Sequence, residues 1–532
     1  MTTASPAAPA ADRPSAPVAA AYPPPPLTGG SLVAGTIALA AATFMIVLDT
    51  SIANVSIPAI SGEMGVSTSQ GTWVITSFAV ANAIAVPLTG WLTQRFGQVK
   101  LFATSTILFV LASWLCGMAP NIEALILFRV IQGLVAGPLI PLSQSLLLAS
   151  YPRARAGTAL AMWSMTTLLA PVAGPLMGGW ITDSYSWPWI FFINIPVGIA
   201  AVWATWSIYR DRESPTRKLP IDAVGLGLLV TWVAALQIML DKGKELDWFA
   251  SGQIVTLAVV AIMGFIFFLI WELNEEHPVV DLRLFAGRNF TMGALTMSVA
   301  YGVFFGSVVL LPLWLQTQMG YTATDAGFVL APVGLLAVLV SPIVGRSIGR
   351  IDPRLVASLA FVLFALVSYL RSLFNSQVDL ATLMIPTILQ GAAVACFFIP
   401  LVSITLSGLP PDKIPSASGL SNFVRITAGA IGTSVSTTLW ENRATMHHAH
   451  LAESIQHGNG AAAHTLEQLQ AAGMSATQAL ASVDRIINAQ AYVLAVDDVF
   501  FASAIVFVVL LPFVWLAKRP KATGASDAGG AH

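Results

Sequence analysis

Two ionic side chains stand where ionic side chains are costly. Asp49 is the only carboxylate well inside an apolar stretch of this sequence, and Arg129 stands inside another. A charge in hydrocarbon is expensive enough that chains which keep one usually use it. A buried carboxylate beside a guanidinium is a proton-binding device. Desolvation favours the neutral acid, and the neighbouring cation favours the carboxylate. A conformational change that alters either influence makes the group take up or release a proton. A further cation, Arg425, lies in a later apolar stretch among Gly419, Ser421, Asn422, Gly429 and Gly432. In so small-residued a segment it is expected to face the interior, against substrate or carbonyl groups. Asn54, Gln132, Asn194, Gln390 and Asn422 are the other candidates for a substrate path or for intramembrane polar contacts.

Other chemistries find no support. The sequence holds no GxxxxGK[ST] phosphate loop, no HExxH and no GxSxG, which argues against internal ATP use and against an enzyme. Five of the seven histidines fall between 441 and 497, with His447, His448 and His450 close together. That spacing only partly fits a metal site, so they read as a solvated loop, and neither metal nor cofactor is expected. Net charge is −1, which gives no basic field for nucleic acid. Cys116 and Cys396 both lie in apolar runs and read as buried thiols without a disulfide.

The elements that position these residues follow from composition. Only 10% of the 532 residues are charged and 56% are hydrophobic, with mean hydropathy +0.76. A soluble core cannot hide that much apolar surface; lipid serves as solvent. Apolar stretches long enough to span a bilayer occur at 32–56, 72–93, 101–119, 123–149, 158–181, 187–209, 221–240 and 252–272. Six more lie at 291–317, 325–346, 355–373, 380–407, 416–440 and 498–517, which makes fourteen and puts both termini on one side. With the N-terminus cytoplasmic, eighteen of the 25 Lys and Arg fall in tails and cytoplasmic loops, five outside or at outer helix ends (Arg371 among these), and two within spans. That bias is a strong positive-inside signal. In this topology Asp49 and Arg129 both lie roughly 10 Å below the outer surface, at 1.5 Å per residue, so contact between them is possible.

A repeat runs at an offset of 258. Gln132-Gly133 maps onto Gln390-Gly391, and Ala170 and Gly174 map onto Ala428 and Gly432. Parallel halves about a central path are a transporter design. The expected organisation is all-α: a disordered cytoplasmic tail at 1–31, a six-helix bundle at 32–209, two inserted helices with their loops at 210–290, a second six-helix bundle at 291–517, and a cytoplasmic tail at 518–532. The second bundle includes an outer loop at 441–497, in which Thr465 to Ala491 has helical spacing interrupted by Gly473. Gly174, Pro175, Gly178 and Gly179 in the fifth span favour a bent helix with a smooth packing face. The loop after the second span carries Gly90, Arg95, Gly97 and Lys100; its basic residues are placed to dock on helix C-terminal ends.

These motifs together resemble the fourteen-helix drug:proton antiporters of the major facilitator superfamily, most closely the EmrB-type exporters, from about 32 to 517. The resemblance rests on Leu48-Asp49-Thr50-Ser51-Ile52-Ala53-Asn54-Val55, the Gly90–Lys100 loop, Arg129-Val130-Ile131-Gln132-Gly133 and Gly174-Pro175-Leu176-Met177-Gly178-Gly179. It also rests on Trp189-Ile190-Phe191-Phe192-Ile193-Asn194-Ile195-Pro196, Gly419-Leu420-Ser421-Asn422-Phe423 and Met446-His447-His448. It implies two bundles with alternating access and proton antiport through Asp49 and Arg129. It implies hydrophobic drugs as substrates and a lipid-embedded inner-membrane location. An EmrA-type periplasmic adaptor and a TolC-like outer-membrane channel are the implied partners. Gln94 departs from the family pattern, which usually has Asp there, so the latch at the inner gate is expected to differ. A dedicated metabolite or siderophore exporter and a transport-inactive membrane sensor are the rival readings.

The topology is testable. Alkaline phosphatase, active only outside the cytoplasm, is expected to be active when fused after Ala449 and inactive when fused after Arg212 or His532. The reverse pattern overturns the orientation.

Overall fold

The structure, a computed structural model, describes residues 24–152, 155–217, 220–348, 350–456 and 460–519. Side chains at 68–69, 168, 171–172, 175–176, 323–324, 454–456 and 460–463 lie outside the description, as does most of both expected tails. In chain order the helices are α1 (Gly29–Glu63), the single turn α2 (Thr68–Gly71), α3 (Trp73–Ala85), α4 (Thr89–Phe96), α5 (Gln98–Gly117), α6 (Ile122–Ala136), α7 (Leu139–Ser150) and α8 (Ala156–Ser184). A short α9 (Trp189–Phe192) precedes α10 (Asn194–Tyr209), and α11 (Ala223–Lys242) and α12 (Gly252–Asn274) stand mid-chain. The second half holds α13 (Arg288–Gln318), α14 (Ala323–Ser347), α15 (Pro353–Arg371), α16 (Leu380–Thr405), α17 (Ile414–Gln456), α18 (Gly460–Ala471) and α19 (Ala476–Leu516).

Among the described residues eleven helical segments are long and apolar enough to cross a membrane, and α3 with α4, bent by 61°, makes a twelfth. The remaining two expected spans, 158–181 and 416–440, fall outside that count but are continuous helix, within α8 and α17 of 29 and 43 residues. In α17, Gly, Ser and Thr replace apolar bulk where the helix packs tightly. The helices of the last two spans extend well beyond the apolar stretches, and the helical spacing read on both sides of Gly473 is helix. α17 runs on to Gln456 and α19 begins at Ala476, so much of 441–497 is helix rather than loop. The two extensions hold together: Trp440 Nε1 donates to the Tyr492 carbonyl at 3.1 Å, and His447 and His448 meet Asp498 and Asp484 at 2.9 and 3.0 Å. His447 and His448 are therefore paired with acids rather than simply solvated. Gly473, at φ +95°, makes the turn between α18 and α19, where a side chain would strain the backbone.

The two halves repeat one packing scheme. α1 packs on α8 and α10, α3 on α6, and α5 on α6 and α10; likewise α13 packs on α17 and α19, α14 on α16, and α15 on α16 and α19. α11 and α12 pack on each other, and α11 straddles the seam between α3 and α17. Trp232 lies against Phe423 at 5.7 Å, the Thr76 hydroxyl donates to Asp241 at 2.5 Å, and Lys244 pairs with Glu441 at 2.6 Å.

The halves meet at the end where the basic loops gather. A Cβ on Gly345 would come within 2.6 Å of the Gly157 carbonyl oxygen, and one on Gly90 within 2.8 Å of the Ser416 Cα. A Cβ on Gly419 would stand 3.0 Å from the Val86 carbonyl, and Asn422 Nδ2 donates to Gln144 Oε1 across the seam at 3.3 Å. All these contacts lie toward the basic end of α4, α7, α8, α14 and α17, so this face is closed. Gly97 (φ +88°) turns the chain from α4 into α5. The Glu213 carboxylate accepts from the Val99 and Lys100 amides at 3.0 and 2.9 Å, satisfying the N-terminus of α5, where negative charge is favoured. The Arg217 amide donates to the Gln94 carbonyl at 2.7 Å. Arg95 lies over the rings of Trp91 and Phe96 on its own helix, 5.4 and 5.9 Å away.

Gly345→Leu is expected to hold the basic face apart. A cysteine placed at Ser416 should then react faster with a soluble maleimide in the Gly345→Leu background than in the parent, in protein of equal monodispersity.

Candidate functional site

Asp49 and Arg129 are brought together. α1 carries the acid and α6 the guanidinium, and Arg129 Nη1 donates to Asp49 Oδ2 at 2.6 Å, with side-chain exposures of 0% and 1%. Neither charge touches solvent, so each depends on the other and on hydrogen bonds for neutralisation. The hydrogen bonds are supplied. Asn194 Nδ2 on α10 donates to Asp49 Oδ1 at 2.8 Å, and Gln132 Nε2 donates to the same oxygen at 3.2 Å. Arg129 Nη1 also donates to Gln132 Oε1 at 2.7 Å, and its Nε donates to the Val74 carbonyl at 3.0 Å. Ser113 on α5 completes the cluster, accepting from Gln132 at 2.7 Å and from Asn194 at 3.2 Å. The guanidinium rests on Phe78 and Phe191, 4.2 and 5.5 Å from the ring centres, which favours a desolvated cation.

Gln132 and Asn194 thus belong to one buried network with the ion pair. Arg129 and Gln132 share a helix face because they are three residues apart. Ser113 was not among the expected residues; Cys116, one turn on, also reaches Gln132 Oε1, at 3.6 Å. Asn54 is exposed and lies outside the cluster. α8 braces the acid from behind: a Cβ on Gly174 would come 3.1 Å from the Ser51 carbonyl carbon, and one on Gly178 2.9 Å from the Ile52 oxygen. Gly179 faces open space, and the side chain of Pro175 lies outside the described residues.

In the second half Arg425 and Asn422 meet each other. Arg425 Nη2 donates to Asn422 Oδ1 at 2.7 Å, and the guanidinium lies over Tyr301 and Phe398 at 4.6 and 5.6 Å. Arg425 therefore faces the interior, as its helix composition predicts. Asn422 also reaches across to Gln144, so this arginine stands beside the seam between the halves. Gln390 meets a helix-end arginine whose burial the loop charges do not reveal. Arg371, expected at an outer helix end, is 1% exposed, and its Nη2 donates to Gln390 Oε1 at 2.8 Å and to Thr387 Oγ1 at 3.2 Å. The signal was available in the repeat, because the offset of 258 maps Ser113 onto Arg371 and Gln132 onto Gln390. Among the described residues no group of three or more His, Cys, Asp or Glu is placed to hold a metal ion.

Two bundles with one packing scheme, closed together at one end and holding a buried acid–arginine pair in one of them, define a two-bundle, multi-pass membrane transporter. The chain belongs to the Major Facilitator Superfamily, whose model matches residues 39–433. It is 53% identical to the multidrug export protein EmrB of Escherichia coli K12, over 95% of this chain and 99% of that one. It is 49% identical to the fatty acid resistance protein FarB of Neisseria gonorrhoeae, over 96% and 99%. Its fold is similar to that of the human organic anion transporter MFSD10 (TETRAN), with TM-score 0.57 and 11% identity over 92% and 100% of the two chains.

Removing one partner of a buried ion pair costs about 3–5 kcal/mol, because the other charge stays uncompensated. Arg129→Gln is therefore expected to melt well below the parent protein, and adding Asp49→Asn should recover most of the loss. Tryptophan-monitored thermal unfolding in detergent reads both; equal or additive losses would show that the pair is not energetically coupled.

Proposed function

We propose that this protein is a proton-driven multidrug exporter of the bacterial inner membrane, with both termini cytoplasmic, moving hydrophobic drugs outward in exchange for protons. The observation that carries this reading is the ion pair at 0–1% exposure. Asp49 is the proton-binding group. When it is charged, Arg129, Gln132 and Asn194 satisfy it; when it takes a proton, Arg129 loses its counter-charge and the network must rearrange. α1 and α8 carry that rearrangement, because Gly174 and Gly178 pack on the residues that follow Asp49. The close contacts on the basic face, Gly90 with Ser416 and Gly157 with Gly345, are then the inner gate, closed while the outer side is accessible.

The energy suffices. A charge moving through 100 mV releases about 2.3 kcal/mol, and concentrating a neutral solute tenfold costs about 1.4 kcal/mol, so one proton supports a gradient of about fiftyfold. The high identity to proteins named for multidrug export supports drugs as substrates, and the likeness to a fatty acid resistance protein extends that range to amphipathic acids. The helical extensions of α17 and α19 with α18 form a rigid projection opposite the basic face. It suits contact with an EmrA-type adaptor leading to a TolC-like channel.

Inverted vesicles with an imposed proton gradient and a pH-sensitive dye test the reading. Drug-induced proton release is expected with the parent protein and absent in Asp49→Asn. Release that persists in the variant moves the proton site elsewhere. An absence of release with every drug, in folded protein, favours a dedicated substrate or the sensor reading.

A further inference from the structure

The two halves place a guanidinium in the same polar niche but answer it differently. In the first half, Gln132 on α6 lies 19 residues after its partner Ser113 on α5; in the second, Gln390 on α16 lies 19 residues after its partner Arg371 on α15. A guanidinium nitrogen donates to the glutamine Oε1 in both, from Arg129 at 2.7 Å and from Arg371 at 2.8 Å. A phenylalanine ring flanks each, Phe191 at 5.5 Å and Phe500 at 5.8 Å. The arginine has changed helix; the niche has not.

The acid has no counterpart. Asp49 comes from α1, and α13, which takes the place of α1 in the second half, has neither Asp nor Glu in its 31 residues. No described carboxylate pairs with Arg371, whose side chain is 1% exposed. Asp497, one turn from Phe500 on α19, makes no described ion pair with Arg371, and its Oδ1 is buried without a hydrogen-bond partner. Two donors are left over. Arg371 Nε is buried with no acceptor, and Gln390 is engaged through its Oε1, which accepts from Arg371, with no described bond from its Nε2. The matching amide, Gln132 Nε2, donates to Asp49. A desolvated cation with idle donors around it is unfavourable unless something negative joins it. The C-terminal dipole of α15, on whose last residue Arg371 sits, offsets only part of a full charge.

We propose that the Arg371–Gln390–Thr387 niche binds an anion, which takes the place in the second half that the Asp49 carboxylate holds in the first. Arg371 supplies the charge, and Arg371 Nε and Gln390 Nε2 supply the unused donors. The ligand is a single negative group, free chloride or the carboxylate head of an amphipathic molecule. Thr387 already donates its hydroxyl to the Leu383 carbonyl at 3.0 Å and so offers the guanidinium only an acceptor.

The test uses the full-length protein in detergent and reads thermal unfolding, so it is independent of transport. Sodium chloride is exchanged for sodium gluconate at constant ionic strength, and decanoate is titrated separately as a carboxylate probe. A melting temperature that rises by a few degrees with chloride identifies a free ion as the ligand; a rise with decanoate alone identifies a carboxylate head. Either dependence should vanish in Arg371→Gln. It should also vanish in Gln390→Glu, which supplies a carboxylate from the chain itself and should melt higher than the parent in gluconate. A parent protein indifferent to both anions, or an anion dependence that survives in folded Gln390→Glu, overturns the proposal.

Discussion

A carboxylate and a guanidinium held 2.6 Å apart with no access to water can exist as ions only together. Much of the first bundle is arranged around that requirement. The acid is on α1 and the cation on α6. The second carboxylate oxygen is satisfied from α6 and α10, and a hydroxyl from α5 ties the two amides to each other. The Val74 carbonyl on α3 receives the guanidinium Nε. Five helices are thus fixed by polar contacts in a setting where lipid gives helix association no hydrophobic drive. In the proposed mechanism a proton on Asp49 alters the electrostatics of all five at once.

The second bundle keeps the scaffold without the switch. Its helices pair in the same pattern, yet its two buried arginines, Arg371 and Arg425, meet amides, a hydroxyl and aromatic rings rather than an acid. In the proposed mechanism one half changes its charge with a proton, while the other carries positive charge with no acid beside it. The halves touch closely through glycines at the basic end, where backbones approach without side chains between them. Such a contact is tight when closed and leaves few interlocking side chains to free on opening. The inserted helix α11, with α12 packed on it, lies over the seam of α3 and α17, and α11 and the residues just after it bond to both sides. Any opening must move with them or against them.

What the sequence alone determines follows from solvent and covalent geometry. Apolar length sets the spans, loop charge gives their expected orientation, and the cost of a buried charge singles out Asp49 and Arg129. The offset of 258 places Gln132 and Gln390 in matching positions. Each of these depends on local composition or on regular spacing along the chain. The tertiary structure decides what depends on helices distant in sequence coming together. Asn194 lies 145 residues from Asp49 and becomes its hydrogen-bond partner only when α10 packs on α1. Arg371 looks like a snorkelling residue at a helix end until α16 and α19 close over it. Likewise the helical spacing of Thr465 to Ala491 is legible in the sequence, but the pairing of the flanks of α17 and α19 that holds them together is not. Hydropathy records the cost of leaving water; it cannot record which partner removes that cost, because the partner is chosen by packing.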